Sequence, residues 1–408
     1  MLDAAPKLRQ EIDAAPARRD GETFYILHDR SGASPSRLLL STLGLLIAGR
    51  LDGASSILEI SDDLSREVPG GVGCREVEAV VRALDEALFL AGARFQDFAA
   101  QAERDFLASP NRPSGLAGSA YPENPLRLAG ALDAILAAAP APEEPAAGNR
   151  PPRGMLVPHL DYPRGAPGYG QAYRLLAGLP KPRAVAIIGT SHVPLRERFT
   201  VCDKPFETPL GRAGIDRDLV ERLRKAASPH GDLDREVLAH RGEHSVELQV
   251  VWLQHIYGEG IAIVPLLAAP VNECLGEAGA PAKMARDPAF RAVAACLGEA
   301  ADAGETLILA SADLSHVGPR FGDSGEAAGR LLAEVEEADR KYLGAAADAG
   351  KGLACLAGLG DRHRVCGSAS IFALGLALPG ARTRLLGYHQ AVTPELSEAV
   401  TYAAMAFA

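Results

Sequence analysis

The chain has 408 residues, of which 47% are hydrophobic and 23% charged, so it has ample material for a folded core and is not a disordered chain. Lys and Arg number 42 against 52 Asp and Glu, a net charge of −10, which argues against a broad phosphate-binding face and so against nucleic acid as a partner. The longest mostly apolar run, residues 38–48, falls short of the roughly 20 residues that span a bilayer. No apolar leader follows the mixed-charge N-terminus. Six scattered cysteines without CxxC pairs form neither a disulfide framework nor a four-cysteine zinc module. A cytoplasmic protein without membrane contact is expected.

Taken in chain order, residues 20–100 read as a small α/β unit. A strand is expected at Phe24–Leu27. A helix capped by Ser36 is expected over Pro35–Arg50, a short helix over Ser55–Asp62, and a clearer one over Cys74–Phe89 with apolar Val77, Val80, Val81, Leu84 and Leu88. Three helices followed by apolar Phe89–Phe95 suggest a small winged-helix-like domain, loosely similar to the PqqD-like peptide-recognition domains; a packing extension of the main domain is the plainer alternative. Ser109–Gly118 is a weak boundary. The Pro/Ala/Glu stretch 137–153 reads as an exposed connector. The domains are therefore placed at 1–110 and 111–408.

From residue 154 onward apolar runs alternate with amphipathic stretches. Strands are expected at Gly154–Val157, Ala184–Gly189, Ile261–Leu267, Thr306–Ala310 and Arg384–Tyr388. Helices are expected at Gly168–Ala177, Asp218–Ala226, Ser245–Tyr257, Asp287–Ala301, Ala327–Leu343 and Ser368–Leu376. This alternation predicts an α/β sandwich, a mainly parallel central sheet flanked by helices.

Nine of the ten histidines lie between His159 and His389. Three of the expected strands run into histidine-bearing loops: Pro158–Tyr162 with His159, Thr190–His192, and Ser311–His316 with Asp313 and His316. In open α/β sheets ligands bind outside the carboxyl ends of the strands, so these imidazoles can converge there. Cys366-Gly367 precedes an apolar helix, and the glycine would let the backbone approach a bound group closely. Imidazole with thiolate suits Fe, Cu or Zn better than Mg or Ca. Asp313 would orient an imidazole or act with His316 in proton transfer.

Glu243-His244-Ser245-Val246-Glu247 opens a helix. Glu243 has a sufficient structural reason in the helix dipole, whereas His244 can face the cleft. His240 and His244 are four apart without the zincin pattern. His230, His255 and His363 read as surface or packing residues, and His389 is undecided. A Walker loop, a dinucleotide fingerprint after a strand and a G-x-S-x-G elbow are all missing.

Seven ordered blocks carry a family resemblance: Ala117–Pro122 (AGSAYP), Pro158–Tyr162 (PHLDY), Gly189–His192 (GTSH), Phe206–Gly211 (FETPLG) with Asp216 after it, Glu243–Glu247 (EHSVE), Ser311–His316 (SADLSH) and Cys366-Gly367. From about Leu116 the chain resembles the Memo family, whose bacterial members are called AmmeMemoRadiSam system protein B. Residues 1–110 lie outside the resemblance. Leu160-Asp161 replaces the family's Ala-Gly, which would put a bulky group and a carboxylate beside the site, and Thr190 replaces a proline.

The resemblance implies a fold similar to the class III extradiol dioxygenases (LigB-like). It also implies Fe(II) or Cu held by His159, His192 and Cys366, with Asp313 and His316 lining the same pocket. On the leading reading His316 with Asp313 would move protons, and His244 would line the pocket or bind substrate. The implied activity is oxidase- or dioxygenase-type chemistry on an unidentified small-molecule or peptide substrate. The implied companions are a radical-SAM enzyme and an AMMECR-type protein. Two alternatives are a non-catalytic peptide- or protein-binding module and a zinc-dependent hydrolase.

Overall fold

The structure is a computed structural model that describes residues 5–19, 22–29, 33–34, 36–141, 151–271, 275–276, 279–325, 327–360 and 362–408. The chain divides into two compact units, Met1–Ser109 and Pro110–Ala408.

In the first unit, β1 (Ile12–Arg19), β2 (Glu22–Asp29) and β3 (Arg37–Ser41) form an antiparallel sheet in that order. Four helices follow: α1 (Thr42–Ala48), α2 (Ile57–Glu67), α3 (Cys74–Glu86) and α4 (Ala93–Ala108). In place of the single helix expected over Pro35–Arg50, the chain forms β3 and then α1. Leu38, Leu39 and Leu40 pair with Leu27, Ile26 and Tyr25, and the helix begins only after Ser41, whose side chain accepts from the Gly44 N–H. A run of leucines has no period of its own, and pairing with β2 decides its conformation. Ser56 opens α2 with a reciprocal capping box to Glu59. The apolar stretch 89–95 supplies one bridge, Leu90 with Leu8, before α4 begins. Leu27, Ile47, Leu64, Val77, Val81, Leu84 and Phe89 are buried together as the core of this unit.

The second unit is α/β. It begins with α5 (Pro125–Ala138), capped by Asn124. The N-terminal end of the expected connector forms the close of α5, and residues 142–150 lie outside the described residues. Then follow β4 (Gly154–Val157), α6 (Tyr162–Ala177), β5 (Ala184–Thr190), β6 (Phe199–Val201), β7 (Phe206–Thr208), β8 (Gly211–Ile215) and α7 (Arg217–Ala227). Next come α8 (His244–Tyr257), β9 (Ala262–Ala268), α9 (Ala280–Met284), α10 (Pro288–Asp302), β10 (Thr306–Ser311) and β11 (His316–Val317). The unit closes with α11 (Gly329–Gly344), α12 (Ala349–Leu359), α13 (Ser368–Ala377), β12 (Thr383–Thr393) and β13 (Glu398–Phe407).

The sheet runs β11-β13-β4-β10-β5-β9-β8-β7, with β12 also on β13 and β6 also on β9. Its centre, β4-β10-β5-β9-β8, is parallel, and the flanking strands are antiparallel. The central strands are apolar and buried throughout because helices cover both faces. Leu156, Ile188, Leu266 and Ile308 pack with α7, α10 and α13. The alternating residues face the other way, where α6 and α8 lie. Helix α6 starts six residues before the expected Gly168, because Asp161 caps it and Pro163 falls in its first turn, where no N–H is needed. Ser311 of β10 stands opposite both Val157 of β4 and Gly189 of β5. Three strands therefore end level, and their loops open side by side. Among the described residues no helix is long and apolar enough to cross a membrane.

Candidate metal centre

His159 leaves the end of β4 and is buried. Its main-chain N–H donates to Asp313 Oδ1 at 3.0 Å, and its Nδ1 lies 3.1 Å from the Ser311 carbonyl oxygen. A carbonyl only accepts, so Nδ1 carries the hydrogen and Nε2 is left with its lone pair. Burial, helped by the neighbouring His192, pushes the His159 pKa down to about 3, so the ring is neutral near pH 7.

His192 follows β5, and its side chain is 38% exposed. Its main-chain N–H donates to Glu243 Oε2 at 3.0 Å, and its Nδ1 lies 3.0 and 3.1 Å from the two Glu243 oxygens. Glu243 precedes α8 and also accepts from the Ser245 N–H. Burial would raise its pKa, but His192 and His244 outweigh that and hold it well below the usual carboxylate range. His244, the first residue of α8, places Nδ1 3.3 Å from Glu243 Oε1. The three rings converge, with centroids 5.1 Å apart for His159–His192, 5.2 Å for His159–His244 and 4.4 Å for His192–His244. Burial would lower the His192 pKa, yet Glu243 carries it above the ordinary value. Desolvation, helped by the neighbouring His192, pushes half-buried His244 down to about 3.

Cys366 comes from the loop before α13. Its Sγ lies 3.3 Å from His159 Nε2 and 3.8 Å from the Asp313 carbonyl oxygen. Burial raises the thiol pKa well above the ordinary cysteine value. The ligand atoms of His159, His192 and Cys366 all lie within 4.8 Å of one another. His192, Glu243 and His244 form a second such group.

Asp313 is buried, with Oδ2 3.6 Å from His159 Nε2, and burial raises its pKa to about 6. His316 is half-buried at the start of β11. Its Nδ1 faces the Leu314 carbonyl at 3.1 Å, and its ring meets Phe321 edge-on. Asp313 and His316 act on each other through charge, while the carboxylate itself holds the His159 main chain. His316 is placed by the neighbouring loop: its N–H donates to the His363 carbonyl, and its carbonyl accepts from Arg364 Nη1. Arg364 stands in the left-handed region at φ 48° and also pairs with Asp323.

Other expectations are settled by the same contacts. Gly367 is needed for a close approach, but to the protein's own backbone: a Cβ there would lie 2.3 Å from Ala312 Cβ and 2.5 Å from the Asp313 carbonyl oxygen. The carboxylate of Asp161 is taken up at the helix start, accepting from the Arg164 N–H and pairing with its side chain, and Leu160 packs on Val400 and Tyr402. His240 is buried away from the cluster, with Nε2 on the Thr200 carbonyl. His255 meets Asp133, and His389 meets Gln171.

Sequence reasoning passed over several supporting residues. Gln249 Nε2 donates to the Pro158 carbonyl and to Ser311 Oγ, tying β4 to β10 beside His159. Glu247 accepts from Arg112, Tyr121, Ser114 and the N–H groups of Gly115 and Leu116. Residues 112–116, with Tyr121 of the AGSAYP block, thus clamp this loop onto α8.

These features define an α/β protein that gathers two imidazoles and a thiol at the carboxyl edge of its parallel strands. Residues 112–406 match the family model described as Memo-like protein, and the chain belongs to that family. The MEMO1 family protein TTHA0924 of Thermus thermophilus is 35% identical over 270 residues, covering 66% of this chain and 73% of that protein. A MEMO1 family protein of Aquifex aeolicus is 27% identical over 299 residues, 73% of each chain. A solved structure, that of uncharacterized protein JW3007 from Escherichia coli K12, aligns with a TM-score of 0.36 at 13% identity, covering 62% of this chain and 98% of that one. That likeness is too loose to carry an argument.

Proposed function

We propose that the protein is a metal-dependent redox protein that holds Fe(II) or Cu through His159, His192 and Cys366. The convergence of those three ligand atoms within 4.8 Å carries the reading. A tetrahedral ion bound by one imidazole and one thiolate sets N and S about 3.5 Å apart. His159 Nε2 and Cys366 Sγ stand at 3.3 Å, close enough to fit. The nitrogens fit as well, because Nδ1 of both rings is occupied by protein acceptors. A bound ion would supply Lewis acidity and, for iron or copper, electron transfer to dioxygen or a substrate. The donor set also accepts zinc, which would confine the ion to Lewis-acid chemistry such as activating water for hydrolysis.

The protein's own groups complete the site. Asp313 fixes the His159 backbone and, with a pKa raised to about 6, can exchange a proton near neutrality. His316 is half-buried at the same edge and supplies a second proton-transfer group. The exposed ring of His192 marks the open side from which a small-molecule or peptide substrate would enter.

The test is metal analysis of protein purified without oxygen, as wild type, His192→Ala and Cys366→Ser. Near-stoichiometric iron or copper in the wild type and its loss in both variants are expected. Folded wild type that holds no metal, even after reconstitution, would sink the reading. The alternative would then be a peptide- or protein-binding module working with a radical-SAM system.

A further inference from the structure

Glu243 has more contacts than a helix terminus requires. A residue there needs only to accept from the first turn, which its bond to the Ser245 N–H already does, and shorter side chains do this better. The same carboxylate reaches 51 residues back along the chain to take both the main-chain N–H and the ring Nδ1 of His192. It is 5% exposed, so its burial is tolerable only because these partners are in place.

We infer that Glu243 is a positioning residue whose carboxylate decides which ring nitrogen His192 presents to the cleft. This rests on the metal reading above and deepens it. A histidine ring exposed at 38% is otherwise free to turn and to exchange tautomers. An ionised carboxylate can only accept, so Nδ1 must be the protonated nitrogen and Nε2 keeps the lone pair. Because the carboxylate also holds the His192 main chain, loop and ring are oriented from one point. Such outer partners orient metal-binding histidines and typically matter 10–100-fold in metal affinity.

Glu243 is itself anchored. Arg112, fully buried, donates from Nη2 to the Glu243 carbonyl at 2.9 Å and from Nε to the His240 carbonyl at 3.0 Å, and its Nη1 pairs with Glu247. This guanidinium fixes the turn that delivers Glu243.

The spacing of His192, Glu243 and His244 also suits a second cation in place of the proton, and that arrangement demands the opposite His192 tautomer. The two are told apart by long-range 1H–15N correlation spectra of 15N-histidine-labelled, metal-free protein, at a pH where the ring is neutral. His192 is expected as the Nδ1–H form. In Glu243→Gln the side-chain amide can turn its NH2 toward Nδ1, so the ring should switch to Nε2–H and Co(II) affinity should fall 10–100-fold. Glu243→Asp, still a carboxylate, should restore part of both.

A wild-type Nε2–H tautomer overturns the inference, as does a Glu243→Gln protein unchanged in tautomer and affinity. So does binding of two Co(II) per chain with the second lost in His244→Ala. A tautomer that switches as expected in a protein that binds no Co(II) leaves the positioning role standing and removes the metal reading instead. Should Glu243→Gln fail to fold, the wild-type tautomer alone decides.

Discussion

The thiol of Cys366 sits where burial keeps its proton on. A nearby cation reverses that preference, since a coordinating thiol loses its proton outright. In metal-free protein at pH 8, Cys366 should therefore be alkylated by iodoacetamide more slowly than Cys74 or Cys355, which are half-buried as it is, as read by peptide mass spectrometry. Faster labelling of Cys366 would show that its surroundings favour the thiolate without an ion. Asp313 gives a pH signature. Its folded pKa is raised to about 6, so it is neutral below that value and charged above it. Any turnover that needs Asp313 as a proton acceptor should rise as pH climbs through about 6, and Asp313→Asn should abolish that limb of the rate profile. A limb that survives the substitution would assign it to another group.

Legibility differs among these residues for a physical reason. His159, His192, Asp313, His316 and Cys366 could be singled out because each sits in a polar loop beside an apolar run, and the sheet then brings the loops together. Glu243 could not, since its sequence neighbourhood already explains an acid at a helix start and says nothing of a partner 51 residues away. Gly367 was legible as a close approach, but what approaches is the Asp313 backbone.

At the scale of elements, the level ends of β4, β5 and β10 make the site, and the clamp on α8 keeps it aligned. Glu247 and Arg112 are both fully buried. Glu247→Ala would leave the guanidinium buried without its counter-charge and should cost about 3–5 kcal/mol in urea unfolding. Pairing it with Arg112→Met should cost less than the two single changes added together, and strict additivity would show that the pair is not coupled. Gly367→Ala forces a Cβ against backbone and should cost about 1–3 kcal/mol. It should also weaken metal binding, because Cys366 moves with it.

Strands β4, β5, β9 and β10 were readable because burial on both faces makes them continuous apolar runs. Strands β6, β7, β8 and β11 span two to five residues and carry no usable period. Strand β13, EAVTYAAMAF, is buried along its whole length, yet its alanines have weak strand preference and hid it. The leucines of β3 misled in the opposite sense and read as a helix.

Across the whole molecule, every donor of the proposed centre lies within Pro110–Ala408, the unit that contains the Memo-like match. A fragment of residues 110–408 is therefore expected to fold and to take up the same metal stoichiometry as the full chain, as measured by circular dichroism and elemental analysis. Failure to bind metal while folded would assign residues 1–109 a part in the site.

Strand β13 lies inside the sheet, between β4 and β12, although it is built from residues 398–407. Val400 pairs with His316, and Thr401 accepts from the Ser315 N–H. A nascent chain on the ribosome has therefore made His159, His192 and Cys366 well before the strand that supports the neighbouring loops has emerged. The three donors exist as translated residues first and as a binding site only afterwards. Ion loading should follow the emergence of β13, and an ion captured earlier would meet the donors in an unassembled geometry.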